Sequence, residues 1–109
     1  MVDPQDIGSL SPDRREKDRA IVAIKADLRR VGRISFKILV TDLSRTGCRA
    51  DTLSKINAEE RIWITLPGFT SIEAVIRWVK PGQFGAQWNA PLHESVFDHI
   101  RKRYPGLFR

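Results

Sequence analysis

The chain has 109 residues, 41% of them hydrophobic and 29% charged, a length and composition that suit one compact domain and leave no room for a second. No apolar run approaches the ~20 residues needed to span a bilayer, and the opening Met1-Val2-Asp3-Pro4-Gln5-Asp6 lacks the basic-then-apolar order of a secretion signal, so a cytoplasmic protein without membrane insertion is expected. The formal charge of +6 favours an anionic partner, whether nucleic acid, nucleotide or acidic lipid, and one stretch carries the excess: Arg14, Arg15, Lys17, Arg19, Lys25, Arg29, Arg30, Arg33 and Lys37 outweigh Glu16, Asp18 and Asp27.

Residues 1–13 are rich in Asp, Pro, Ser and Gly, have little to bury, and read as a flexible arm ahead of a single domain over 14–109. From Ala20 to Leu28 the residues Ala20, Val22, Ile24, Ala26 and Leu28 alternate with polar ones, the period of a strand with one buried face. Ile34, Phe36, Ile38 and Val40 repeat that period, and Val31-Gly32 between the runs predicts an antiparallel hairpin. A brief strand follows at Gly47–Asp51, carrying Cys48 and Ala50; as the lone cysteine in an apolar stretch, Cys48 reads as a small buried side chain. Arg61–Leu66 and Ser71–Val79 form a second hairpin through the turn dipeptide Pro67-Gly68, and Phe84–Trp88 is the sixth strand. Beyond it, Asn89 is the expected cap of a helix with Pro91 in its first turn, Leu92, Val96, Phe97 and Ile100 on one face, and Pro105-Gly106 at its end. Six short strands followed by one helix, with no β-α-β alternation, predict a mainly β fold: an antiparallel barrel plugged or flanked by a C-terminal α-helix.

Two features stand out on this scaffold: Arg15-x-x-x-Arg19 just before the first strand and Asp42-x-Ser44-x-x-Gly47 just after the second. A hairpin turn centred near Val31 pairs Arg19 with Asp42, so the basic arm and the acidic turn should share one end of the barrel. Their chemistry suits guanine and phosphate. A guanidinium fork can donate to both O6 and N7 of guanine or grip a phosphate, a role open to Arg15 and Arg19. The carboxylate of Asp42 can accept from N1–H and N2–H on the other edge of the base, where Ser44 can also bond. Gly47 leaves room for a ligand against the main chain.

These motifs, in this order and with a hairpin between them, resemble the PilZ family of cyclic di-GMP receptors, and the resemblance covers most of the chain. Phe84-Gly85-Ala86-Gln87-Trp88 is similar to the glycine-then-aromatic strand that closes the family's six-stranded antiparallel barrel. The resemblance implies that Arg15 and Arg19 hold guanine and phosphate groups, that Asp42 and Ser44 bind guanine, and that Gly47 completes the turn. Arg14 looks like the extra arginine often found just ahead of the motif, and Trp78 is placed like an aromatic that stacks on guanine in some members. It also implies a bacterial receptor whose ligand is cyclic di-GMP, with no further cofactor, acting through a separate and unidentified protein effector. Glu16 and Asp18 depart from the pattern by placing two acids inside the arginine motif, where they can pair with Arg15 or Arg19 and compete with ligand.

Other readings bear on the same residues. The arginines can be a solvated basic arm, and Asp42, Ser44 and Gly47 a turn whose side chains bond the local backbone. Trp63, Trp78 and Trp88 are ordinarily core residues of a barrel. His93 and His99, six apart, do not share a helical face, which leaves no metal site. No nucleophile with its base, close carboxylate pair or phosphate-cradling glycine loop is present to make an enzyme. Two non-enzymatic alternatives remain: a PilZ-like adapter that has lost cyclic di-GMP binding, and a basic barrel that binds nucleic acid. The second would need several exposed aromatics among its cations.

Overall fold

The computed structural model describes residues 19–106; the arm expected over residues 1–13 and the arginines Arg14 and Arg15 lie outside them. Strands β1 (Arg19–Arg30), β2 (Phe36–Ser44), β3 (Gly47–Asp51), β4 (Arg61–Thr65), β5 (Ile72–Lys80) and β6 (Gln83–Trp88) precede one helix, α1 (Glu94–Arg103). The strands close into a barrel in the order β1-β2-β3-β6-β5-β4, every neighbouring pair antiparallel. Alternation works as the sequence predicts: Val22, Ile24, Ala26 and Leu28 of β1 join Ile38, Val40, Ile62, Ile64, Ile76 and Phe84 in the buried core. Each fully buried aliphatic or aromatic side chain contributes at most about 1.5–3 kcal/mol.

The first hairpin is looser than expected. Arg19 pairs with Ser44 and Ile21 with Asp42, a register about two residues from the one a turn at Val31 would set. Arg30 explains the difference. Arg30 lies opposite Ile62 of β4 rather than within the hairpin ladder. Its guanidinium is held by Glu60, with Nη2 donating to Oε1 at 3.0 Å, and Nη1 donates to the Lys55 carbonyl at 3.2 Å. The chain then turns from Arg30 to Arg33, with Gly32 at φ 67°, and spends Ile34 and Ser35 in the loop before β2 begins. Ile34, expected in the strand, is 90% exposed.

The helix begins later than Asn89 would set it. His93 is the cap, its Nδ1 accepting from the Ser95 N–H at 3.0 Å, because Leu92 is drawn down beforehand by a hydrogen bond from its N–H to the Arg45 carbonyl. Leu92, Phe97 and Ile100 all reach the barrel core from this position. After the helix, Tyr104–Gly106 runs along the first part of β1, with Ala23 N–H donating to the Tyr104 carbonyl and Gly106 N–H to the Ile21 carbonyl. That strap covers a stretch of β1 that β4 does not reach, since β4 pairs only with Asp27–Arg30. No helix among the described residues is long and apolar enough to cross a membrane.

Candidate functional site

One row of outward-facing residues crosses the barrel wall. Ile21 of β1 lies opposite Asp42 of β2, Asp42 opposite Arg49 of β3, Arg49 opposite Gly85 of β6, and Gly85 opposite Trp78 of β5. Register shifts flank this row in three of those pairings, between Ile21 and Ile24, between Val40 and Asp42, and between Ile76 and Trp78. A bulge adds a residue to one strand and re-aims the side chains beside it. In β2 the extra residue lets Leu43 enter the core while Asp42 turns to the outer face; in β5 it lets Ile76 stay inside while Trp78 faces out.

Glycine shapes the row twice. A Cβ on Gly47 would stand 2.2 Å from the Ala86 carbonyl oxygen, so only glycine allows β3 to start this close to β6. A Cβ on Gly85 would stand 2.1 Å from Trp78 Nε1, which shows that the indole lies directly over the Gly85 backbone. Trp78 is 36% exposed, and Lys80 Nζ lies 5.3 Å from its ring centroid.

Asp42 is the electrostatic centre. Its side chain is 10% exposed and Oδ2 accepts from Arg19 Nη2 at 2.9 Å and from Arg49 Nη2 at 3.4 Å. Two guanidinium groups sharing one carboxylate leave the cleft one unit positive, the sign a phosphate would meet. Ser44 is committed to its turn: Oγ accepts from the Thr46 N–H at 3.2 Å and the Gly47 N–H at 3.0 Å. Cys48 is buried behind this wall, its thiol pushed up to about 12 by burial first and by the Asp42 charge second, which leaves it an inert core residue.

Arg19, Asp42, Ser44, Gly47 and Trp78, the five sequence-derived site residues within the described chain, line a single cleft of about 340 Å³. That volume is near the lower end of the ~300–1,000 Å³ typical of small-ligand sites. The cleft also takes in Thr46, Arg49 and Gln87, which the sequence reading did not single out. Arg49 could have been found from its place two residues after Gly47, because alternation in β3 puts it outside, between Cys48 and Ala50, both of which are buried.

Of the other aromatics, Trp88 is core, with its indole N–H donating to the Ser44 carbonyl at 3.2 Å. Trp63 is not core as expected. It stands on the outer face of β4 between the guanidinium groups of Arg29 and Arg61, 4.4 and 5.2 Å from its ring centroid. Alternation with Ile62 and Ile64, both fully buried, forces it outward.

A closed six-stranded barrel with a capping helix, carrying an anion-attracting cleft on its wall, defines a small ligand-binding domain. The family model described as PilZ domain matches residues 13–103, and the chain belongs to that family, whose members are receptors for cyclic di-GMP and in general not enzymes. No curated protein matches closely enough to add a relative.

Proposed function

We propose that this protein is a bacterial, cytoplasmic cyclic di-GMP receptor that uses Arg19, Asp42, Ser44, Gly47 and Trp78 together with Arg14 and Arg15. The observation that carries the reading is the meeting of Arg19, Asp42 and Trp78 in one cleft, although they come from three different strands. The Asp42 carboxylate accepts from N1–H and N2–H of one guanine, the Trp78 indole supplies a stacking face, and the arginines take the O6/N7 edge or a phosphate. Arg19 must exchange its bond to Asp42 for a bond to ligand. Because Arg19 opens β1, the segment bearing Arg14 and Arg15 joins the barrel at the cleft. Ligand contacts there order the segment, and a protein effector reads the change.

The test is titration of cyclic di-GMP into Asp42→Ala and Arg19→Lys. Each should bind about 5- to 150-fold more weakly while staying folded, the loss of about 1–3 kcal/mol expected for a charge-assisted or bidentate contact. Full affinity in the lysine variant would mean that Arg19 supplies charge alone, and full affinity in Asp42→Ala would remove the guanine-reading role.

A further inference from the structure

Asp42 has a second basic neighbour that stays behind if Arg19 leaves. Arg49 sits between the carboxylate and the indole in the outer row, directly across from Asp42 on one side and Gly85 on the other. Its Nη2 makes only a stretched 3.4 Å contact to Oδ2, the oxygen that Arg19 holds at 2.9 Å. The Nε–H of Arg49 is buried with no acceptor, the single buried side-chain polar atom left without a partner among the described residues. A buried donor without a partner is costly, and a guanidinium approaching side-on offers Nε–H and one Nη–H together as a matched pair for a carboxylate. Arg49 is therefore half-engaged: one arm of its fork touches Asp42 and the other has nothing.

Resting on the proposed receptor function, we infer that Arg49 is a positioning residue that takes Asp42 through both Nε and Nη2 when Arg19 transfers to the ligand, holding the carboxylate toward the N1–H and N2–H edge of guanine. With Nε–H and Nη2–H converging on Oδ2, the oxygen Arg49 already touches, Oδ1 and the remaining lone pair of Oδ2 still accept from the base. The exchange satisfies the orphaned Nε–H and offsets the loss of the Arg19 bond. Arg49 itself touches Asp42, not the ligand, and this distinguishes it from Arg19.

The experiment compares cyclic di-GMP with cyclic di-IMP, which keeps O6, N7 and both phosphates and lacks only the 2-amino groups that Asp42 would bind. In the unaltered chain cyclic di-GMP should be preferred. Arg49→Gln should bind cyclic di-GMP about tenfold more weakly and lose most of that preference, and Arg49→Lys should not restore it, because an ammonium lacks the fork. A thermal midpoint on each variant shows that it is folded. A measurement on the unaltered protein needs no variant: the Arg49 Nε–H resonance should move downfield on saturation, as the proton gains a carboxylate acceptor. Equal loss for both dinucleotides with the preference intact would overturn the inference and make Arg49 a phosphate contact. Unchanged affinity in Arg49→Gln, or an unmoved Nε–H resonance in the saturated protein, would overturn it as well. Failure of the unaltered chain to bind cyclic di-GMP would instead strike the receptor function, and this inference with it.

Discussion

Replacing Gly85 by alanine separates the proposed ligand platform, Trp78, from the scaffold. The new methyl carbon would lie 2.1 Å from Nε1, 2.3 Å from Cε2 and 2.8 Å from Cζ2 of Trp78, so the indole cannot keep its place. It is free to swing, since the side chain stands on the outer wall and is already 36% exposed. If half of a buried tryptophan's ~250 Å² is released, the loss is at most about 3 kcal/mol at ~25 cal/mol per Å². Alanine in place of glycine in a strand returns about 0.5–1 kcal/mol. The variant should therefore fold, with a stability loss of at most about 2 kcal/mol, from the difference of those two figures. Binding should suffer through loss of base stacking, about 1–3 kcal/mol or roughly 5- to 150-fold in Kd. Titration calorimetry of Gly85→Ala, Trp78→Ala and the double variant measures this. If Gly85 acts only by seating Trp78, the double variant should bind no worse than Trp78→Ala. Unchanged affinity in a folded Gly85→Ala protein would refute the stacking role of Trp78.

Gly47→Ala should behave in the opposite way: its Cβ would meet the Ala86 carbonyl oxygen at 2.2 Å, a backbone atom that cannot swing aside. A stability loss of about 3 kcal/mol is expected, seen as a lower thermal midpoint with or without ligand, and a normal midpoint would show that β3 can move away from β6 at little cost. Glu60→Gln should cost about 2 kcal/mol at neutral pH, below the 3–5 kcal/mol of a fully buried pair because Arg30 and Glu60 are 14% and 19% exposed. The Arg30 hydrogen bond holds Glu60 below the usual carboxylate range, so its stabilisation is complete above about pH 4.3 and is lost as pH falls through the lower folded value. Urea midpoints of the two proteins should converge on acidification; divergence would contradict the assignment.

Much of the fold was legible because alternation is strong in β1, β2 and β4, where buried aliphatics leave little choice of face. The register of the first hairpin was not, because it depends on Arg30 being captured by Glu60, 30 residues away, and no local pattern reports that contact. Residue type alone points Trp63 to the core, whereas alternation with the buried Ile62 and Ile64 places it outside. At the site, the motif residues Arg19, Asp42, Ser44 and Gly47 could be grouped from the sequence. The seating of Trp78 on Gly85 depends on a bulge in β5 and the meeting of Asp42 with Arg49 on one in β2; bulges shift facing by one residue and follow from sheet pairing rather than from any local run. Ser44 shows two roles in one residue: its oxygen closes the β2–β3 turn and also lines the cleft.

On the proposed function, this cleft reads guanine in a cyclic dinucleotide. Isothermal titration of the full chain with cyclic di-GMP, and separately with cyclic di-AMP, at the same stated salt concentration tests it most directly. Adenine presents a donor where guanine has O6 and lacks the N1–H and N2–H that Asp42 would take, so buried groups would be left unpaired. Saturable binding of cyclic di-GMP at micromolar or lower concentration, with clearly weaker binding of the adenine compound, is the predicted result. Equal affinity for the two, or no binding of cyclic di-GMP, would contradict it.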